Sequence, residues 1–214
     1  GVITDMTGYA ASVFKRGIRL ALVPTSLLAM VDAAIGGKNG VNVGAYKNMV
    51  GTVYQPEIIL FDDRFLETLP KEEWINGFAE IIKHACIKDA AMFEMLEKNM
   101  PETFMASPSK LAALVEQNVN IKTDVVLADE FETGERKLLN FGHTIGHAIE
   151  NMYQLPHGHA VSIGMMAACS FSEEMNLFSS EEKARVQNLL QLYQLPVNLQ
   201  FDKMKAWEQL VMDK

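Results

Sequence analysis

Four of the five histidines in this 214-residue chain fall within seventeen residues, in Asn140-Phe-Gly-His-Thr-Ile-Gly-His147 and the following Pro156-His-Gly-His159. His143 and His147 are four apart, so a helix stacks them on one face. The spacing predicts a helix that starts at Glu135, after the break at Thr133-Gly134, and carries Arg136, Asn140, His143 and His147 in a 4-3-4 stripe. A solvated helix face normally carries Glu and Lys. A stripe of Arg, Asn and two His, beside Gly142 and Gly146 that let another element come close, reads as the wall of a site. Imidazole is the commonest transition-metal ligand and the usual acid or base near neutral pH. The competing reading is a helix with incidental histidines.

Around this stretch the chain changes character once. Gly1 to Asp5 reads as the tail of a loop, and Thr7 to Lys15 as a small-residue helix ending near Gly17. Arg19 to Val23 is a short apolar run closed by Pro24, which fits a buried parallel strand. Thr25 or Ser26 then caps a helix to about Ala34. Gly36-Gly-Lys-Asn-Gly-Val-Asn42, followed by Lys47-Asn48, has the glycines and cations of an anion-binding turn, although the Gly-x4-Gly-Lys-Ser/Thr spacing of a P-loop is absent. Ile58 to Phe61 is a second apolar strand. From Phe65 the pattern is helical almost to the end, with helices expected from Leu69-Pro70, over Ala90–Lys98, Lys110–Asp129, Val161–Asn176 and Glu181–Leu192. Residues 1–63 thus read as the C-terminal part of an α/β, Rossmann-like domain, and 64–214 as an all-helical domain, so the chain is mostly α.

Bulk properties exclude several classes. A net charge of −8 lacks the basic footprint of a general nucleic-acid binder. No apolar run approaches the roughly 18 residues of a membrane span. Cys86 and Cys169 lie in helical patterns without a motif, as reduced core thiols of a cytoplasmic protein would. The chain opens without an initiator Met and closes soon after a new apolar helical pattern begins, so it reads as a piece of a longer protein.

A catalytic zinc site needs three protein ligands and one open position. Glu80, His143 and one of His147, His157 or His159 would supply them. Glu80, Lys83 and His84 share a helix face, which taken alone would more often be a surface ion pair. Thr144 follows His143, so the His-Glu-x-x-His base of a metalloprotease is missing. A metal near Lys38, Lys47, Lys83, Lys122 and Arg136 suits a small, hydroxylated polyanion, with lysines and arginine holding phosphate and carboxylate.

Seven stretches then resemble one family. Val23-Pro-Thr-Ser-Leu-Leu-Ala-Met-Val-Asp32, Gly36-Gly-Lys38, Lys47-Asn48, Tyr54-Gln-Pro56, Thr68-Leu-Pro70, Ala79-Glu-Ile-Ile-Lys83 and Leu139-Asn-Phe-Gly-His-Thr-Ile-Gly-His147 with His157-Gly-His159 closely resemble the 3-dehydroquinate synthases of the shikimate pathway, over essentially the whole chain. The resemblance implies a homodimeric, NAD- and metal-dependent lyase, with zinc or cobalt as the divalent ion. Its reaction converts 3-deoxy-D-arabino-heptulosonate 7-phosphate to 3-dehydroquinate and phosphate, by oxidation, phosphate elimination, reduction and aldol cyclisation, on the route to chorismate and the aromatic amino acids.

Carried over by position, the resemblance implies Glu80, His143 and His159 as metal ligands, His147 as the acid/base partner and His157 as a bystander. Lys38, Asn48 and Asn140 would hold the phosphate, with Lys214 and with Arg16 reaching from a neighbouring subunit. Arg136 and Lys122 would face the carboxylate, and Asp32 and Lys83 the ring hydroxyls. NAD would touch Gly1, Val2, Ile3, Thr4, Asp5, Thr25, Ser26, Lys38, Lys47, Phe65, Leu66, Glu67 and Thr68. The family's Gly-rich dinucleotide loop begins ahead of Gly1, so this polypeptide alone is expected to bind NAD poorly and to be inactive. Three other readings compete: a sugar-phosphate cyclase making an inosose or valiolone, against which Arg136 and Lys122 argue; a metal-dependent alcohol dehydrogenase; and a non-catalytic helical fragment serving only dimerisation.

Overall fold

The structure is a computed structural model that describes residues 2–43, 46–200, 202, 204 and 205, the side chains of 42, 43 and 46–48 apart. Gly1, Lys214 and the side chains of Lys47 and Asn48, all expected site groups, lie outside the described residues. The chain divides into two compact units: residues 1–74 with 108–136, and residues 75–107 with 137–214. The split differs from the division expected at residue 63 in one main respect. The long helix over Pro108–Ala128 belongs with the first unit.

The first unit begins with helix α1 (Val2–Val13), so the segment Gly1–Asp5 expected as loop is helical over its described part. Asp5 lies in the first turn, where a carboxylate meets the positive end of the helix dipole. A short 3-10 turn, Phe14–Arg16, follows; Lys15 and Arg16 have left-handed φ of 50° and 67°, and Arg16 is exposed. Strand β1 (Ala21–Leu22) pairs in parallel with β4 (Ile58–Ile59), as the apolar runs predicted. Leu20, Leu22, Ala11 and Ala34 form a small core there, covered by Tyr54 and Ile59.

Ser26 accepts a hydrogen bond from the Ala29 amide (3.3 Å), the expected N-cap. The turn it starts widens to a π-helical segment over Ala29–Ala33, on which α5 (Pro108–Ala128) packs. Between them the chain departs from expectation. The Gly36–Asn42 segment is not a coiled anion loop but most of strand β2 (Lys38–Val43), which forms an antiparallel hairpin with β3 (Tyr46–Val53) in the register Lys38↔Val53 and Gly40↔Gly51. Among the described positions the Asn39 side chain ties this hairpin down, donating to the Gly37 and Tyr54 carbonyls (2.7 and 3.1 Å).

The second unit is helical: α2 (Lys71–Lys88) from Ile75 onward, α3 (Ala90–Glu97), α4 (Pro101–Met105), α6 (His143–Tyr153), α7 (His157–Glu174) and α8 (Ser180–Leu192). Two of the starts are written in capping residues. Asp89 caps α3 through the Met92 amide (2.8 Å), and Ser179 with Glu182 forms a capping box on α8. Phe78 packs against Phe104 and Tyr193 with ring centroids 6.0 and 4.8 Å apart, and the Tyr193 hydroxyl donates to the Asn99 carbonyl (2.9 Å). Among the described residues no helix is long and apolar enough to cross a membrane.

Helix α6 packs closely on α7, with Ile149, Ala160 and Ile163 buried between them. Glycines allow it. A β-carbon on Gly164 would lie 1.8 Å from the Gly142 carbonyl oxygen, and one on Gly146 would lie 3.0 Å from the Ala160 oxygen. Gly142 itself has φ +81° and precedes α6. It interrupts the single helix expected from Glu135. The chain runs instead as a 3-10 turn over Glu135–Asn140, a left-handed break, and then α6. The 4-3-4 stripe therefore ends at the break: His143 and His147 share a face, and Arg136 and Asn140 lie on another element.

Candidate metal centre

The second unit gathers its chemistry from three helices. Helix α2 contributes Glu80 and Lys83, both fully buried with side-chain exposures of 0% and 1%, and ion-paired with one another. This replaces the surface-pair reading: α2 is buried all round here, with Phe78, Ile81 and Ile82 as fully covered as the ion pair. Helix α6 contributes His143 in its first turn and His147 one turn later, their rings 5.2 Å apart and nearly perpendicular. Helix α7 contributes His157, its first residue, just after Pro156.

Glu80 Oε1 lies 3.3 Å from His143 Nε2 and 3.1 Å from His157 Nε2. All three ligand atoms fall within 4.8 Å of one another. Tetrahedral zinc with bonds of 2.0–2.1 Å would separate neighbouring ligand atoms by about 3.4 Å, close to both measured distances. The donor set, one carboxylate and two imidazoles, is that of a three-ligand site with an open position.

The expected third ligand was His159. His159 is in none of the three-residue ligand clusters formed by the described residues, whereas His157 is. The reason is helical geometry. At about 100° per residue, positions 157 and 159 of one helix point roughly 200° apart, so only one of them can face Glu80. Because α7 begins at His157 rather than at Val161, both histidines are helical and the choice is made by phase.

Electrostatics hold the cluster charged. Burial pushes the Glu80 carboxyl up, but the Lys83 ammonium and the hydrogen bonds from His143 and His157 outweigh it and keep the group well below the usual carboxylate range. Burial pushes the His157 imidazole down, and its bonds to Glu150 and Glu80 outweigh that in turn, raising it to about 9. Glu150, which the sequence reading did not single out, places Oε2 3.1 Å from His157 Nδ1. It lies seven residues after His143 on α6, two turns along the same face, and that phase was its only signal in the sequence.

In the first unit, the expected substrate cations are already engaged with their own chain. Lys122 Nζ donates to the Asp32 carboxylate and to the Asp32 carbonyl, both at 2.6 Å. Lys38 pairs with Glu132. Arg136 is buried and donates to the carbonyls of Gly36 (2.8 Å) and Glu130. The loop that presents Glu130 and Glu132 is tied by Asp129, whose carboxylate accepts from the amides of Thr133, Gly134 and Arg136. Burial raises that carboxyl and the three amides lower it further, to about 2. Of the expected cofactor contacts, Ser26 serves as a helix cap, Leu66 is buried, and Phe65 is half-exposed. Asn140 is exposed at the end of its 3-10 turn.

The chain was compared with known proteins. Residues 1–76 match the family model "3-dehydroquinate synthase N-terminal" and residues 77–214 match "3-dehydroquinate synthase C-terminal". The 3-dehydroquinate synthase of Sulfurisphaera tokodaii is 43% identical over 222 residues, which take in 100% of this chain and 63% of that protein. Among solved structures, the 2-epi-5-epi-valiolone synthase of Streptomyces hygroscopicus, with NAD+ and Zn2+ bound, superposes with a TM-score of 0.91 at 31% identity. That match covers 98% of this chain and 60% of the other. A 2-deoxy-scyllo-inosose synthase complexed with carbaglucose-6-phosphate, NAD+ and Co2+ superposes at 0.89 and 29%, over 98% and 58%. The chain thus spans about three-fifths of the length of these three proteins. Both of its parts are matched end to end by the two models of a single family, and on that ground the chain belongs to the 3-dehydroquinate synthase family.

Proposed function

We propose that the chain is part of a 3-dehydroquinate synthase, a carbon–oxygen lyase of the shikimate pathway that uses NAD and a divalent metal to turn 3-deoxy-D-arabino-heptulosonate 7-phosphate into 3-dehydroquinate and phosphate. The observation that carries the reading is the buried Glu80–His143–His157 cluster, whose spacing suits a metal ion, in a chain 43% identical to a protein of that name.

In this reading Glu80, His143 and His157 hold the ion. NAD and the metal supply hydride acceptance and Lewis acidity when bound; the protein's own groups bind, orient and move protons. Lys83 keeps Glu80 ionised as a ligand in a buried setting. His147, one turn along α6 from His143, would serve as the proton-transfer group toward the substrate hydroxyls, as the family resemblance implies. Lys38, Asn48, Asn140 and Lys214 remain assigned to the phosphate, Lys122 and Arg136 to the carboxylate, and Asp32 to a ring hydroxyl, as the family resemblance implies. Arg16 remains assigned across a homodimer interface, and the NAD contacts at residues 1–5, 25, 26, 38, 47 and 65–68 stand on the same ground. For Lys38 and Lys122, substrate anions would have to displace Glu132 and Asp32 or join them.

A second reading is favoured by the solved structures, both of which are cyclases of other sugar phosphates. The carboxylate-bearing substrate is preferred on the family resemblance, which assigns Arg136 and Lys122 to a carboxylate, and on the 43% identity to a 3-dehydroquinate synthase. The test is phosphate release from the heptulosonate phosphate with NAD and zinc, in the protein that contains this chain. Release from that substrate and none from glucose 6-phosphate or sedoheptulose 7-phosphate is expected; the reverse preference would establish the cyclase reading.

A further inference from the structure

We propose that Glu150 is a positioning residue of the metal centre, holding His157 in the one tautomer and orientation that offers Nε2 to the ion. The inference rests on the metal-centre reading above and deepens it. The His157 imidazole lies between two carboxylates: Nδ1 is 3.1 Å from Glu150 Oε2, and Nε2 is 3.1 Å from Glu80 Oε1. Both flanking groups are sheltered, with side-chain exposures of 17% for Glu150 and 0% for Glu80.

A neutral imidazole carries one N–H. An ionised carboxylate only accepts, so beside Glu150 the proton stays on Nδ1. With the Nδ1 proton retained, Nε2 is the nitrogen that would exchange the proton it shares with Glu80 for an ion. The same bond fixes the rotation of the ring about its terminal torsion, which is otherwise broad for histidine. It also makes Nε2 a more basic ligand, the effect a carboxylate has on a metal-bound histidine.

His157 has particular need of such a tether. It is the first residue of α7, with no preceding helical turn to restrict its side chain. The tether comes from α6, the helix that carries His143, so two ligands from different helices are registered by one contact. Glu150 also shares a cluster with His147 and His157, whose ligand atoms lie within 4.8 Å of one another. Its alternative role would be as a ligand to a second ion at that cluster, and the experiment separates the two.

The test is zinc affinity of the chain, by competition with a chromophoric chelator, together with zinc stoichiometry. Glu150→Ala is expected to bind the single ion 10- to 100-fold more weakly. Glu150→Gln is expected to lose less, because its amide oxygen still accepts from Nδ1. Wild-type affinity in Glu150→Ala would overturn the inference. So would two zinc ions in the wild type and one in Glu150→Ala, which would make Glu150 a ligand. If Glu150→Ala fails to fold by thermal melting, the wild type decides: the nitrogen NMR spectrum of zinc-loaded chain is expected to show His157 protonated at Nδ1 and metal-bound at Nε2, and the opposite assignment refutes the proposal. His143→Ala run in parallel distinguishes failure of the underlying reading, since unchanged zinc binding there would remove the metal centre itself.

Discussion

Gly164→Ala should damage the metal centre without touching a ligand. The added β-carbon would lie 1.8 Å from the Gly142 carbonyl oxygen, 2.8 Å from its carbon and 2.9 Å from the Gly146 amide nitrogen. All three are main-chain atoms of the segment that starts α6, so no side chain can swing aside. Bringing the worst contact to 3.0 Å, the lower limit for a real β-carbon, requires α6 and α7 to part by at least about 1.2 Å. Metal–ligand bonds tolerate about 0.2 Å. His143 rides on α6 and His157 on α7, so the shift is several times that tolerance. Overpacking of this kind costs about 1–3 kcal/mol. Alanine regains about 1 kcal/mol of helix propensity over glycine, and the rigid obstacle puts the overpacking at the upper end, leaving a net loss of about 2 kcal/mol. At roughly 2–4 °C per kcal/mol for a chain of this size, Tm should fall by about 4–8 °C. Zinc affinity, read by chelator competition, should fall at least tenfold. Gly134→Ala is the control, since its methyl would meet nothing nearer than 3.7 Å. Wild-type Tm and wild-type zinc affinity in Gly164→Ala would refute the claim that close α6–α7 approach builds the site.

Asp129 should titrate with a midpoint near 2 rather than 3.8, seen in carboxyl-carbon NMR. Its pKa is depressed in the folded chain, so its support of the 129–136 loop is present above 3.8 and is lost only as pH falls through about 2; a midpoint at the ordinary value would show that the three amide bonds are not formed. Tyr193→Phe should cost about 1 kcal/mol, read by urea denaturation, because it removes the hydrogen bond to the half-buried Asn99 carbonyl; no change in midpoint would show that carbonyl to be otherwise satisfied. His147→Ala should keep wild-type zinc affinity while slowing phosphate release in the protein that contains the chain; loss of metal in that variant would make His147 a ligand.

Much of this architecture was legible because local chemistry and tertiary need agree. The parallel pairing of Ala21–Leu22 with Ile58–Ile59 follows from two short apolar runs separated by a crossover, and the starts of α3 and α8 follow from Asp89 and Ser179. The β2–β3 hairpin was not legible, since Gly40, Gly51 and Asn39 are poor strand formers and nothing in their pattern alternates strongly. The site was half legible. His143 and His147 announce themselves by spacing, and Glu80 by its place in Ala79-Glu-Ile-Ile-Lys83. The break at Gly142 was hidden because a glycine in a helical pattern reads equally as a close-packing residue, and here it is both a left-handed turn and a contact for Gly164. His157 and His159 could be separated only by knowing where α7 begins, and a sequence fixes helix starts to within a few residues at best.

The most direct test of the metal centre is therefore the pair His157→Ala and His159→Ala, each titrated with zinc against a chelator. Glu80, His143 and His157 as the ligand set predict that His157→Ala loses tight zinc binding while His159→Ala keeps it. Loss in His159→Ala with retention in His157→Ala would contradict the account.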